Sequence, residues 1–411
     1  MANQTKIEWT DATWNPVTGC SIVSPGCTNC YAMQMAGTRL KNHPSRKGLT
    51  NQVNDNHVWT GEVRFNEQWL TQPLHWKKPR MIFVCAHGDL FHEDVPDEWI
   101  DKIFAVMALC PQHIFQVLTK RPERMRAYFS YNRLTKISEA AEITAIDFRK
   151  YYLIGGPTSY NSAVTAILQR NNWPLPNVWL GVSVENQETA NERIPYLLST
   201  PAAVRFVSAE PLLGKIDLNY IMPDKAKYYN NGYPCYDVLS GRKMNNDAMN
   251  FTISTKTYKK LDWVITGGES GKNSRPMHQD WARSLRDQCA EAKVPFFFKQ
   301  WGEWSCIYDR DNDDPNWTDC PKAKTNKERY INLDGGHGFH GDRVCFVKKV
   351  GKNKAGRLLD GIEHNAMPEA TSCRICGCTE IKACFDHELG ACWWVEPNLC
   401  SHCQLDLKDA K

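Results

Sequence analysis

The stretch Met81-Ile82-Phe83-Val84-Cys85-Ala86-His87-Gly88-Asp89 contains the unit from which the fold can be inferred. Its first five residues are apolar without alternation, which is typical of a strand buried on both faces. A polar turn with a glycine follows, and the pattern after it predicts a helix from Asp97 to about Leu109. The order strand, turn, helix is the building unit of an α/β protein.

The same unit recurs through the middle of the chain. Further apolar, β-rich runs lie at residues 114–118, 178–184, 204–208, 263–266 and 296–299, and most are followed by a polar turn and a helical pattern. Such strands alternating with helices predict a parallel sheet covered on both faces. We therefore expect an α/β fold, a full or partial barrel of parallel strands.

In such a barrel the turns after the strands share one face, and the functional site is built there. This sequence has polar side chains in those turns: Asp89, Lys120, Arg121, Glu185, Glu210 and Glu269. The pattern favours a site at this rim without naming its chemistry, because any α/β fold places polar residues at strand ends.

Changes in amino-acid composition divide the chain into three segments. Residues 1–300 are predicted to form the barrel, interrupted at about 214–261 by a Lys-, Asn- and Tyr-rich insertion that is either a substrate-contacting rim loop or an ordinary surface loop. Residues 301–371, rich in Gly, Asp, Asn and Lys, predict an irregular extension packing on the barrel. Residues 372–411 form a cysteine-rich module.

The bulk composition restricts the class of protein. Of the 411 residues, 42% are hydrophobic and 23% are charged, which is ordinary for a globular protein. No apolar run is long enough to cross a membrane and the amino terminus lacks the pattern of a secretory signal, so we expect a cytoplasmic protein with no membrane partner. The net charge of +4 permits nucleic-acid binding without requiring it.

Three cysteines form a tight loop near the start of the chain. Cys20, Cys27 and Cys30 have the spacing C-x6-C-x2-C. In a reducing compartment, clustered cysteines are metal ligands more often than disulfides. A structural zinc site needs four ligands, whereas a [4Fe–4S] cluster held by three thiolates leaves one iron open. An open iron–sulfur site is favoured; zinc completed by a distant ligand, and a structural or redox role, are the alternatives.

This loop, with its trailing Cys30-Tyr31 at the end of a first strand, resembles the cluster loop of the radical S-adenosylmethionine superfamily, although the usual spacing there is C-x3-C-x2-C. The wider chain, from KIEWTDATWNP through GVSVEN, SAEPLLG, TGGESG and FFFKQWGEW to AGRLLDG, resembles a phage- and prophage-borne family of uncharacterised radical-SAM-like proteins over residues 5–363. The resemblance implies a [4Fe–4S] cluster, S-adenosylmethionine, a 5′-deoxyadenosyl radical, and an electron donor such as flavodoxin or ferredoxin.

The resemblance also implies that S-adenosylmethionine binds across the carboxyl ends of the strands. The candidate cofactor-binding residues all stand in the turns there: Gly88, Asp89, Lys120, Arg121, Ser183, Glu185, Glu210, Gly267, Gly268 and Glu269. Gly88 and Asp89 are the candidates for the methionine amine, and Lys120 or Arg121 for its carboxylate. The glycines would let the backbone approach the cofactor.

Seven cysteines lie within residues 373–403. Two C-x2-C pairs have the spacing of a zinc ribbon and would hold zinc or a second iron–sulfur cluster: Cys373, Cys376, Cys400 and Cys403. The remaining three are candidates for a second site: Cys378, Cys384 and Cys392.

These features predict a radical S-adenosylmethionine enzyme acting on a large substrate. A nucleic-acid base or nucleotide is the first candidate substrate, because a zinc-ribbon-like appendage often binds nucleic acid; a peptide or protein is the alternative. The competing hypothesis is a non-catalytic, zinc-dependent nucleic-acid-binding protein. It predicts that the chain binds neither a labile cluster nor the cofactor.

Overall fold

A parallel sheet organises the structure. The computed structural model describes residues 5–54, 56–130, 133–151, 174–223, 233–247, 250–311, 321–336 and 343–368, with short pieces at 385–386, 390–391, 394–396, 399–400 and 403. The seven strands of the sheet are β1 (Ala12–Trp14), β2 (Met81–Val84), β3 (Ile114–Thr119), β4 (Val178–Ser183), β5 (Val204–Ala209), β6 (Trp263–Gly267) and β7 (Phe296–Gln300). They lie side by side in chain order and every neighbouring pair is parallel. The predicted α/β fold is confirmed, in its partial form: the sheet is a half-barrel.

Helices connect and cover these strands. They are α1 (Tyr31–Gly37), α2 (Asp97–Ala108), α3 (Pro122–Ser130), α4 (Leu134–Tyr151), α5 (Gln187–Ser199), α6 (Gln279–Ala292) and α7 (Lys352–Ala355), with 3₁₀ turns at Pro25–Cys27, Glu67–Trp69 and Gln72–His75. Helix α5 begins with a capping box, since the Asn186 side chain accepts from the Thr189 backbone N–H and the Thr189 hydroxyl accepts from that of Asn186. Within the described ranges, no helix reaches the length and apolarity needed to cross a bilayer.

The sheet separates two apolar layers. Its outer face packs against α2, α5 and α6 through residues such as Val117 and Val182. On its inner face, aromatic side chains pack in one cluster: Trp9, Phe83, Trp179, Phe206, Trp263 and Phe297. Because side chains alternate along a strand, Ser183 shares the inner face with Trp179 but lies nearer the carboxyl end. The inner face is therefore apolar at its amino-terminal end and polar at the rim.

Two segments outside the half-barrel form small antiparallel sheets where the sequence predicted a loop and an irregular extension. In the insertion the strands are Tyr233–Asp237, Arg242–Asp247 and Asn250–Thr257. In the extension they are Trp304–Asp311, Glu328–Asn332 and Arg343–Lys349. The extension packs on the main core through Ile331, Cys345 and Val347. Sequence reasoning missed these strands because antiparallel strands can be polar on one face, and Gly- and Asn-rich turns separate them.

Short antiparallel pairs complete the described structure. Thr50–Val53 pairs with Asn56–Trp59, Val17–Thr18 with Arg64–Phe65, Phe385–Asp386 with Gly390–Ala391, and Trp394–Glu396 with Leu399–Cys400. In the carboxyl-terminal module, five of the candidate ligands lie outside the described residues: Cys373, Cys376, Cys378, Cys384 and Cys392. Cys400 lies on a strand and Cys403 is buried. The ligand sets proposed for that module stay predictions.

The inner aromatic cluster depends on a glycine in β4. A Cβ atom on Gly181 would lie 2.5 Å from the Phe206 ring, which is fully buried. We expect Gly181→Ala to lower the free energy of unfolding by about 1–3 kcal/mol, because the ring must move within a packed core. Urea unfolding of the variant and of Gly181→Ala/Phe206→Leu checks this. The double variant should be more stable than the sum of the two single changes predicts; additive effects would contradict the proposed clash.

Candidate metal and cofactor site

The cysteine loop, residues 15–30, begins against the turn that follows β2. Gly19 forms a parallel bridge with Gly88, and the Gly19 N–H donates to His87 O at 3.1 Å. Gly19 has φ +95°, and a Cβ atom there would lie 2.1 Å from Glu62 O. Glycine is therefore required at this position both by its backbone conformation and by the close approach of another segment.

The middle of the loop is held by the turn that follows β4. The Ser24 hydroxyl donates to Glu185 Oε1 at 2.9 Å. Gly26 lies against the same carboxylate, since a Cβ atom there would be 2.3 Å from Glu185 Oε1. Glu185 thus fixes the loop immediately before Cys27. Any larger residue at position 26 would displace either the loop or the Glu185 carboxylate.

The end of the loop is held by the turn that follows β6. Asn29 Nδ2 donates to Glu269 Oε2 at 3.0 Å, and Arg275, which also binds Glu269, donates to Pro25 O at 2.9 Å. Beyond Cys30, the Tyr31 hydroxyl donates to Ala86 O at 2.6 Å. The loop carrying the three cysteines is therefore fastened at the carboxyl-terminal rim to the turns after β2, β4 and β6.

The three thiols lie in one electrostatic neighbourhood. The pKa of the Cys20 thiol is raised to about 12, first by burial and then by the charge of Asp89; Arg121 opposes this shift, and Cys30 and Cys27 add to it. Burial also raises the pKa of Cys30. Without a metal, the Cys20 thiol is protonated at neutral pH, so binding a metal must release a proton there.

The side chains are not already placed around a metal. Among the residues that the structure describes, no three His, Cys, Asp or Glu side chains surround a common position suited to a metal ion. The Cys20 thiol donates to Ser21 O at 3.4 Å, and the Cys27 sulfur lies 3.8 Å from Ser24 Oγ. Three thiolates on one loop suit an iron–sulfur cluster, and holding one requires these side chains to turn towards a shared point.

Asp89 and Arg121, both predicted to bind the cofactor, bind each other at 3.1 Å. Asp89 is 5% exposed, and its two carboxylate oxygens also accept from the Thr119 hydroxyl and the Lys120 N–H. Arg121 further pairs with Glu93 at 2.8 Å, and its Nη1 lies 3.5 Å from Cys20 Sγ. These contacts make both residues supports of the cysteine loop. The guanidinium of Arg121 already binds two carboxylates of this chain, and its predicted pairing with the cofactor carboxylate stays a prediction.

Glu185 is fully buried between two cations, with Lys120 Nζ at 3.0 Å and Arg193 Nη1 at 3.2 Å. Burial acts to raise the pKa of Glu185, but the charges of Lys120 and Arg193 and the hydrogen bonds of Lys120 and Ser24 outweigh it, so the pKa is lowered. Lys120 also contacts Ser183 Oγ, on the inner face of β4. The predicted residues Lys120, Ser183 and Glu185 are thus brought together.

Glu210 and the two glycines lie next along the rim. Lys299 Nζ is 3.1 Å from Glu210 Oε1, and Ser183 Oγ donates to Glu210 O at 3.1 Å. A Cβ atom on Gly267 would lie 2.5 Å from Glu210 Oε1, and one on Gly268 would lie 2.1 Å from Trp301 O. Atoms of this chain therefore already explain both glycines, which were predicted to admit the cofactor.

Sequence reasoning missed several residues of this network. Arg193 is 2% exposed in the middle of α5, and although it is the one cation of that helix, no local pattern distinguishes it from an ordinary surface arginine. Lys299 had a signal, since it is a cation inside the otherwise apolar or amide-bearing strand Phe296–Gln300. Asn29 contacts Glu269 from 240 residues away, which only the fold reveals, whereas Arg275 lies six residues after Glu269 in the same turn.

The comparison with known families agrees with the extent of this architecture. The family described as "Protein of unknown function (DUF5131)" matches residues 4–368. This range covers the half-barrel, the cysteine loop and the extension, and the chain belongs to this family. No curated protein and no solved structure matches the chain.

The Glu185 ion pairs predict a specific effect of pH. We expect Glu185→Gln to lower the free energy of unfolding at pH 7 by about 3–5 kcal/mol, because it leaves Arg193 buried without its carboxylate. A carboxylate whose pKa is lowered by folding contributes its full stabilisation at pH values above its ordinary pKa, about 4.3. This contribution is lost as the pH falls through the lowered pKa. The difference between wild type and variant should therefore shrink below about pH 4. Urea unfolding across this range checks it; a difference that does not depend on pH would contradict the ionised pair.

Proposed function

We propose that this protein is a radical S-adenosylmethionine enzyme whose [4Fe–4S] cluster is held by Cys20, Cys27 and Cys30. The observation that carries the proposal is the placement of the cysteine loop, fastened to the turns after three strands of a parallel half-barrel. That rim is where α/β barrels build their sites. A loop fixed at so many points holds the backbone that carries the three thiols in a defined position, so only the cysteine side chains need to turn to bind a cluster.

The donor set favours an iron–sulfur cluster over zinc. A structural zinc ion is closed by four protein ligands. The loop offers three thiols, and the carboxylate of Asp89, whose charge acts on Cys20, already binds Thr119 and Arg121. Reduced by one electron from a flavodoxin- or ferredoxin-type donor, such a cluster would break the C5′–S bond of S-adenosylmethionine, giving methionine and a 5′-deoxyadenosyl radical able to abstract a hydrogen atom from the substrate.

The residues of the rim divide into two groups by their contacts. Glu185, Glu269 and Arg121 touch the cysteine loop itself, so they position the ligands. Lys120 and Lys299 extend from the inner face at the carboxyl ends of β3 and β7, and each is about one-fifth exposed. Each lysine pairs with one carboxylate of this chain, Glu185 or Glu210, and both lie on the inner face of the sheet, where a bound cofactor or substrate would meet them.

The substrate is proposed to be large, with a nucleic-acid base or nucleotide as first candidate. Apolar side chains beside the thiols support access by a large partner, because Ile22, Val23 and Tyr31 are 46%, 43% and 48% exposed. Exposed apolar residues clustered at a site mark interaction surfaces. The same surface would serve an electron donor of the flavodoxin or ferredoxin type, which must approach the cluster closely.

The test is to purify the protein without oxygen, supply iron and sulfide, reduce it, and record the EPR spectrum with and without S-adenosylmethionine. Wild type should bind about four iron atoms per chain and give a reduced [4Fe–4S] signal that shifts when the cofactor is added. A Cys20→Ala/Cys27→Ala/Cys30→Ala variant should lose the signal. Cys289→Ala is the matched control, since Cys289 is a buried thiol on α6, away from the loop, and should keep it.

Two results would overturn the proposal. A wild-type protein that takes up only zinc would favour the zinc-dependent binding protein instead. A cluster signal that does not respond to S-adenosylmethionine, or that persists in the triple variant, would place the cluster elsewhere and remove the proposed role of the loop.

A further inference from the structure

Arg46 is a buried cation for which the described residues supply no carboxylate. It is 5% exposed and lies between α1 and the strand that begins at Thr50. Its Nη1 contacts Ser45 Oγ, and its guanidinium carbon lies 5.5 Å from the centroid of the Trp69 ring. Its Nε has no hydrogen-bond partner in the part of the chain that the structure describes.

The other arginines near the cysteine loop differ from Arg46. Arg121 pairs with Asp89, Arg193 with Glu185, and Arg275 with Glu269. Each of these ion pairs supports the loop, as described above. Arg46 has no such role, so its buried charge needs another explanation.

Arg46 lies beside the rim. Its charge acts on both His87, which follows β2, and Tyr31, which follows Cys30, and the ring centroids of these two residues lie 5.9 Å apart. The Nδ1 atom of His87 is also buried and also lacks a partner among the described residues. Two neighbouring side chains therefore each have an unsatisfied buried nitrogen, and both nitrogens are able to donate a hydrogen bond.

The surroundings of Arg46 and His87 carry a positive charge. Burial lowers the pKa of Arg46 only to about 10, so its guanidinium stays protonated at neutral pH. The neighbouring Cys85 does not offset the charge, since burial raises the pKa of its thiol to about 12. A buried cation with unused donors is costly to keep in a fold unless it binds something. The complementary ligand is an oxyanion, which the planar guanidinium recognises better than other side chains do.

We propose that Arg46 and His87 form an oxyanion-binding site beside the cysteine loop. The ligand is the phosphate of a nucleotide substrate or the carboxylate of S-adenosylmethionine, and both present the same chemistry to a guanidinium. This site goes beyond the proposed function. It rests on that function only where S-adenosylmethionine is named as one of the two possible sources of the oxyanion.

The experiment is isothermal titration calorimetry of the full chain with two probes, inorganic phosphate and S-adenosylhomocysteine. We expect wild type to bind phosphate, Arg46→Met to weaken binding about tenfold or more, and Arg46→Lys to restore part of it. Arg205→Met is the matched control. Arg205 is also a buried arginine with an unpartnered Nε, but it lies near the amino end of β5 with Asp262 beside it, so its variant should bind phosphate like wild type.

The two probes distinguish the sources of the oxyanion. If the site takes the cofactor carboxylate, Arg46→Met will weaken S-adenosylhomocysteine to a similar degree and phosphate will compete with it. If the site takes a substrate phosphate, S-adenosylhomocysteine binding will not change in the variant and both probes will bind together.

The effect of phosphate on the melting temperature, Tm, is a second measurement, and a purely structural role of Arg46 would not produce it. We expect Arg46→Met to keep or raise Tm, because it removes a buried charge that has no carboxylate partner among the described residues. Phosphate should raise the Tm of wild type but not of the variant.

The proposal fails if folded wild type binds neither probe at up to about 10 mM, or if Arg46→Met binds phosphate as tightly as wild type. Phosphate binding by the Cys20→Ala/Cys27→Ala/Cys30→Ala variant separates the two proposals, since it should persist even if no cluster forms.

Discussion

The carboxylate of Glu185 is the constraint on which the rest of the site depends. It is completely buried, yet it stays ionised because Lys120 and Arg193 lie on either side of it. Its remaining contacts are with the cysteine loop, through the Ser24 hydroxyl and the close approach of Gly26. One side chain thus connects a strand end, a covering helix and the loop of candidate ligands. A buried ion pair of this kind adds little net stability, but it specifies one arrangement, because every alternative leaves a charge unpaired.

The half-barrel could be predicted from the sequence because its strands follow a simple physical rule. Strands buried on both faces must be apolar throughout, and the predicted runs at 114–118, 178–184, 204–208 and 263–266 agree with β3, β4, β5 and β6 to within one residue. The antiparallel sheets of the insertion and the extension obey a weaker rule. Strands such as Glu328–Asn332 mix polar and apolar residues, and the polar composition of both segments concealed them, including the buried run at residues 344–347.

The sequence could predict where the candidate site lies in the fold, but not which of its side chains contact each other. Strand ends share one rim, so the sequence was sufficient to bring Asp89, Lys120 and Glu185 into one region. It could not show that Arg121 is already paired with Asp89 and Glu93, or that Gly267 makes room for Glu210. Those facts depend on side chains from different strands approaching within a few ångströms. For the same reason, nothing in the sequence indicates that the buried charge of Arg46 lacks a carboxylate partner in the part of the chain that the structure describes.

The strands lie in space in the order in which the ribosome makes them, but the cysteine loop does not follow that order. It is made before the strands to which it is fastened, and its contact from Asn29 to Glu269 spans 240 residues. During synthesis, the three thiols therefore leave the ribosome long before the turns that fasten them exist. Local units of strand and helix can form as they appear, whereas seating this loop is a late event with a high entropic cost of closure. Any cluster that depends on the seated loop is accordingly acquired by a nearly complete chain, and a nascent chain exposes three unprotected thiols until then.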